Sequence, residues 1–159
     1  MTPYPYETAT PAQQARGALW WCQGHDIKLA ALREPPAARA EVIRNLKLAH
    51  EQEVRLRAMR PVLGTLPPEV QEAAQALEKT DRARDEAFQA WWEVSQARQG
   101  TDRIQVYRIW EKAYQVWEEA SRAWQEILYT HRAEIEALFA LECADVPWGP
   151  EGLIFHIPV

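Results

Sequence analysis

The chain has 159 residues, enough for one domain with a hydrophobic core. Hydrophobic residues make up 47% of the sequence and charged residues 26%, as in an ordinary globular protein, and no apolar run reaches the roughly 18 residues that a membrane span needs. The first residues lack the basic-then-apolar pattern of a secretory signal, and the cysteines Cys22 and Cys143 form no disulfide framework. We therefore expect a cytoplasmic protein with reduced thiols.

The N-terminal region is predicted to be an arm followed by a helix. Residues 1–10 contain two prolines and several aromatic or apolar anchors, and we expect them to form an extended arm. Thr10 and Pro11 resemble a helix start, because a hydroxyl cap precedes a proline whose missing N–H has no role at that position. The first helix is predicted over 11–32, with a possible kink at Gly24 and a break at the prolines that follow.

Prolines and glycines delimit the next two predicted helices. The second helix covers 37–60 and is stopped by Pro61. The third begins at Pro68 and continues to about Gln99, with Gly100 suited to a left-handed C-cap.

The fourth predicted helix, from about residue 102 to 143, carries tryptophan at seven-residue spacing. Trp110, Trp117 and Trp124 share one stripe, and the apolar arc of this helix spans about 160°, wider than one neighbour can cover. The third helix offers a complementary stripe of small side chains, and the short link forces the two helices to run antiparallel. The stripe of small side chains consists of Ala73, Ala76, Thr80, Ala83, Ala87, Ala90 and Val94.

These elements predict an all-α fold. We expect a four-helix, mainly antiparallel bundle over 11–143, with helices 3 and 4 forming a long, protruding, coiled-coil-like hairpin. Residues 144–159 form a Pro/Gly-rich tail whose short apolar segment could pack within the chain or on a partner.

The hairpin tip, residues 88–114, is the leading functional candidate. A helix of about 40 residues is about 60 Å long, which exceeds the diameter of a compact domain of this size. The tip carries Trp91, Trp92, Tyr107 and Trp110, and adjacent tryptophans on a helix point about 100° apart, so two helices cannot bury both of the first pair. Exposed aromatic clusters are typical of partner sites. We therefore predict a non-catalytic scaffold or regulatory subunit that binds a protein partner or forms a homo-oligomer.

Arginines in the first half support an alternative function. Residues 11–66 contain nine basic and five acidic residues, although the whole chain has a net charge of −5. Arg39, Arg44, Arg55 and Arg57 on the second predicted helix could contact phosphates, as in a helical accessory subunit that binds nucleic acid. Because acidic residues interleave with them, this signal is weaker than the aromatic one.

Enzyme chemistry has only sparse support. His50 with Glu53 and His131 with Glu134 have the spacing of paired metal ligands on a helix, but no matching carboxylates occur on the other helices. Arg44 and His50 stand at the spacing of the Arg–His motif of HEPN-type helical nucleases, which an arginine-rich chain matches by chance about once. The sequence therefore predicts no catalytic residues, no metal site and no cofactor.

Overall fold

The computed structural model describes residues 1–21, 29–97, 102–149 and 152–155. The described part is mostly helical, with small antiparallel sheets, and none of its helices is long and apolar enough to cross a membrane. The predicted kink at Gly24 and the predicted C-cap at Gly100 lie outside the described residues. The helices are α1 (Pro36–Leu46), α2 (Ala49–Ala58), α3 (Pro68–Gln96), α4 (Arg103–Thr130) and α5 (Arg132–Glu142), and the strands are β1 (Leu19–Trp21), β2 (Leu29–Ala31), β3 (Arg60–Pro61), β4 (Trp148–Gly149) and β5 (Gly152–Leu153).

The predicted first helix over 11–32 is wrong, because this segment contributes two strands to a sheet. The helix start at Thr10 does form one turn, in which the Gln14 N–H donates to the Thr10 carbonyl at 3.0 Å. Gly17 then adopts a φ of +83°, in the left-handed region that glycine tolerates and a right-handed helix excludes. A side chain at Gly17 would also approach the Glu78 side chain to 3.3 Å. The predicted four-helix bundle therefore lacks its first helix.

The three-stranded sheet has the order β2-β1-β3, and all its pairs are antiparallel. Trp20 is paired with Ala30 on one side and with Pro61 on the other. Because successive side chains of a strand point to opposite faces, Trp20 and Trp21 enter different cores. Trp20 packs with Tyr6 and residues of α1 and α2, whereas Trp21 packs with residues of α3, α4 and α5.

The second predicted helix, over 37–60, is two helices. The chain is extended at Lys47 and Leu48, and α2 begins immediately afterwards. The Gln52 side-chain amide donates to the carbonyl oxygens of Arg44 and Lys47 at 3.0 and 2.8 Å, so it satisfies acceptors that the break leaves open. The end before Pro61 is as predicted, since α2 stops at Ala58 and the next residues form β3.

The third predicted helix is confirmed as α3, and it packs closely against α4. The fourth is interrupted at His131, which separates α4 from α5. Just before the break, the Thr130 hydroxyl donates to the Glu126 carbonyl at 2.9 Å, a side-chain bond that commonly bends helices. The described part of the C-terminal segment packs within the chain, since Leu153 is buried in the core that contains Trp21.

Candidate functional site

Burial along α3 and α4 stops abruptly at one level of the hairpin. Asp81 is the last buried residue of α3, and Trp124 is the first buried residue of α4. None of the described residues 82–97 and 102–123 is buried. We call residues 82–96 of α3 and 103–123 of α4 the distal hairpin, because they lie beyond this level.

An aromatic cluster runs through the distal hairpin. Trp91 stacks on Trp110 across the two helices, with ring centroids 5.7 Å apart and planes 20° apart. Trp91 also meets Tyr107 edge-on at 6.3 Å. Every ring of the cluster lies within 6.4 Å of another member. The cluster consists of Phe88, Trp91, Trp92, Tyr107, Trp110, Tyr114 and Trp117.

The four residues predicted for partner binding all belong to this cluster. Trp91 and Trp110 are partly buried between the helices, whereas Trp92 is 48% exposed and Tyr107 is 42% exposed. Trp92 joins the others through Phe88, at a centroid distance of 6.4 Å. This agrees with the expectation that one of the two adjacent tryptophans stays accessible to solvent.

Sequence reasoning missed part of the cluster. Phe88 contacts rings on both helices and links Trp92 to Trp110, but it was not predicted as a site residue. Its position three residues before Trp91 places both on one helical face, and this spacing could have identified it. The predicted packing of tryptophan against small side chains is only partly realised, since Trp117 is partly buried and packs under the Arg84 guanidinium.

Arg84 connects the cluster to the core end of the hairpin. Its guanidinium carbon lies 4.2 Å from the Trp117 ring centroid, a cation–π contact. The same guanidinium forms ion pairs at 2.9 Å with Asp81 and with Asp85. The base of the aromatic cluster is therefore fixed by a charged network.

Two of the arginines predicted for nucleic-acid binding hold the N-terminal arm instead. Arg44 donates to the Tyr6 hydroxyl, and Arg57 lies over the Tyr4 ring with its guanidinium carbon 5.6 Å from the centroid. The Tyr4 hydroxyl donates to Glu53 at 2.5 Å, and this bond lowers the pKa of Glu53 and raises the pKa of Tyr4. These side chains already have partners in the chain, which weakens the phosphate-binding hypothesis.

The other two predicted arginines are less exposed than Arg44 and Arg57. Arg55 is buried, donates to Glu51 at 3.1 Å and lies over the Phe155 ring with its guanidinium carbon 4.9 Å from the centroid. Arg39 lines a cavity beside β2, described below. The four arginines therefore do not form one exposed face.

The residues considered for enzyme chemistry do not assemble into a site. Arg44 and His50 lie on separate helices, and His50 meets the Phe155 ring edge-on at 6.5 Å. His131 and Glu134 approach to 3.8 Å at the junction of α4 and α5. Within the part of the chain that the structure describes, no three metal-binding side chains come together.

Cys143 is predicted to resist alkylation. Burial raises the pKa of its thiol to about 12, so the reactive thiolate is scarce near pH 8. In a Cys22→Ser background, we expect iodoacetamide to label native Cys143 at least about 100-fold more slowly than the urea-unfolded chain. Mass spectrometry of timed samples measures both rates, and equal rates would contradict the buried position.

Comparison with protein-family models, with curated proteins and with solved structures gives no match. The distal hairpin is the feature that most needs a functional explanation, because it places large apolar rings where the described chain does not bury them.

Proposed function

We propose that this protein is a non-catalytic assembly subunit that associates with a second copy of itself through the distal hairpin. The observation that carries the proposal is the continuous aromatic cluster, which lies entirely beyond the last buried level of α3 and α4. Its inner members, Trp91 and Trp110, fix the surface, and its outer members, Trp92 and Tyr107, present the contact area.

Energetics favour covering this surface. Burying apolar area stabilises a complex by about 25 cal/mol per Å², and Trp and Tyr are enriched among the residues that dominate binding energy. The stack of Trp91 on Trp110 holds neighbouring rings in place before any partner arrives. Little conformational freedom is then lost on binding, so more of the burial energy contributes to affinity.

Charge distribution favours a second copy as the partner. From Arg82 to Arg122 the sequence has seven basic and seven acidic residues, whereas the whole chain has a net charge of −5. The distal hairpins carry no net charge by this count, so two of them can approach each other without net repulsion. The balanced mixture of signs also gives no attraction for a polyanion, in contrast to the basic stripes of nucleic-acid-binding helices.

Two hairpins related by a twofold axis would form a four-helix arrangement. In such an interface both subunits contribute their Trp92, because the same patch is used by each subunit. The apolar Ile109 and Val116 side chains, 55% and 45% exposed, lie seven residues apart on α4 and would be available to the second hairpin. The sequence predicted a four-helix bundle within one chain, whereas this arrangement would pair α3 and α4 of two chains.

The test is light scattering coupled to size exclusion over a concentration series. The wild-type chain should have about twice the monomer mass of 18.4 kDa. Trp92→Ala should raise the dimer dissociation constant by about 10- to 100-fold, because two hot-spot side chains are lost per dimer. Its melting temperature, measured under conditions where both proteins are monomeric, should stay within about 2 °C of wild type, since Trp92 is half-exposed.

Tyr129→Ala is the matched control. Tyr129 lies on α4 outside the distal hairpin and is 80% exposed, so its loss should leave dimerisation unchanged. A wild-type monomer at every concentration would overturn self-association, as would an equal effect of the two variants. Salt-sensitive retention of an oligonucleotide would favour the nucleic-acid alternative instead.

A further inference from the structure

A cavity of about 470 Å³ lies beside β2, between that strand, α1 and α3. Cavities of roughly 300–1,000 Å³ are typical of small-molecule sites. Arg16, Arg33 and Arg39 line it, and they come from the turn before β1, the segment after β2 and α1. Three arginines from separate segments thus line one space.

A buried carboxylate positions two of these guanidiniums. Asp81 is 1% exposed, and its two oxygens accept from Arg33 Nε and Arg33 Nη2 at 2.8 Å each. Arg16 approaches the same carboxylate at 3.4 Å. Arg33 and Arg16 keep exposed fractions of 55% and 36% at their side chains, so part of each guanidinium remains accessible.

Arg39 supplies a cationic group that is incompletely satisfied. Its Nε is buried and has no hydrogen-bond partner in the part of the chain that the structure describes. That nitrogen is closed to solvent, so an acceptor from outside can pair only with the terminal nitrogens of this permanently charged guanidinium. A planar oxyanion group supplies such an acceptor.

The acidic residues at the cavity do not supply the acceptor that Arg39 lacks. Asp85 is paired with Arg84 at 2.9 Å, and Glu34 is exposed. The cavity also has an apolar wall, formed by the partly buried residues Ala30, Ala31 and Leu32. A ligand that suits both parts has an anionic group and an apolar body.

We infer that this cavity binds a small amphipathic anion, whose carboxylate or phosphate is held by Arg39, Arg33 and Arg16 and whose apolar body lies against Ala31 and Leu32. Asp81 acts as the anchor that holds Arg33 and Arg16 at the cavity. This site includes none of the rings of the aromatic cluster and meets the distal hairpin only at Asp85, so the proposal does not depend on the assembly function.

Titration calorimetry with phenylacetate, phenyl phosphate and the neutral 2-phenylacetamide tests the inference on the full chain. We expect one of the two anions to bind with a stoichiometry of one per chain, and the amide to bind at least about tenfold more weakly because it lacks the charge. The comparison of the two anions shows whether the carboxylate or the phosphate is preferred.

Arg39→Gln removes the guanidinium and should weaken anion binding by roughly 10- to 100-fold. Arg39→Lys keeps the charge but not the planar fork, so its affinity for the anion should lie between those of Arg39→Gln and wild type. Arg108→Gln, an exposed arginine of the distal hairpin, is the matched control and should bind as wild type does. Circular dichroism checks that each variant is folded, and Arg39→Lys keeps the test valid if Arg39→Gln is not. The inference is overturned if neither anion binds, if the amide binds equally well, or if neither Arg39 variant changes affinity.

Discussion

Asp81→Asn should lower the free energy of unfolding by about 3 kcal/mol, because removing one partner of a buried ion pair leaves the others uncompensated. Asp81 is 1% exposed and forms ion pairs with Arg33, Arg84 and Arg16. An asparagine amide keeps one acceptor but turns its NH2 group toward guanidinium donors. We expect the low end of the usual range, since Arg33 is more than half exposed and can turn into solvent.

Urea unfolding, monitored by far-ultraviolet circular dichroism, measures this loss of stability. We expect a lower urea midpoint with an unchanged dependence of the unfolding free energy on urea concentration. Asp85→Asn is the matched control, because Asp85 pairs with the same Arg84 but is exposed, and its loss should be under about 1 kcal/mol. If the two variants lose equal stability, Asp81 is not the anchor of this network. Because a dimer dissociates on unfolding, its measured stability depends on protein concentration, and the two variants are compared at one concentration.

The part of the fold that sequence predicts well is the part that depends on local rules. α3 begins at Pro68 and ends before the glycine-containing link, as its proline and small-residue pattern indicate. The close packing of α3 on α4 follows from the short connection between them, whatever the rest of the chain does.

The segment over 11–32 was mispredicted because distant residues decide its structure. Thr10 and Pro11 do start a turn, but Leu19–Trp21 becomes the central strand only when Arg60–Pro61 and Leu29–Ala31 pair with its two edges. Apolar residues over a short run fit a buried strand as well as a helix. The pairing partner β3 is two residues long and carries a proline, so it has almost no strand signal of its own.

The distal hairpin and the arginine-lined cavity also differ in how far the sequence predicts them. The distal hairpin could be predicted in outline, because two helices alone place Trp91 near Tyr107 and Trp110. The arginine-lined cavity could not, because Arg16 and Arg33 are brought to Asp81 by the sheet that sequence analysis did not predict. The sequence predicts Arg39 as a phosphate contact because of its charge, but the position of Arg39 beside that cavity depends on the same sheet.

Glu142→Gln should also destabilise the fold, by about 2–3 kcal/mol, because one carboxylate satisfies three donors from distant parts of the chain. Glu142 accepts from the Trp21 indole Nε1 at 2.7 Å, from the Leu63 N–H at 3.1 Å and from the Gly64 N–H. The site is closely packed, since a side-chain carbon at Gly64 would lie 2.5 Å from a Leu138 methyl group. Glutamine retains one acceptor oxygen, so at least one donor loses its partner.

Urea unfolding gives the stability, and the Trp21 indole N–H gives a local readout by nuclear magnetic resonance. In Glu142→Gln we expect that proton to shift and to exchange faster with solvent, because Trp21 is fully buried and Glu142 is its acceptor. Glu134→Gln changes an exposed carboxylate on the same helix and should lose under about 1 kcal/mol, with no effect at Trp21. Equal losses in both variants, or an unchanged Trp21 signal in Glu142→Gln, would show that α5 is not tied to β1 through this carboxylate.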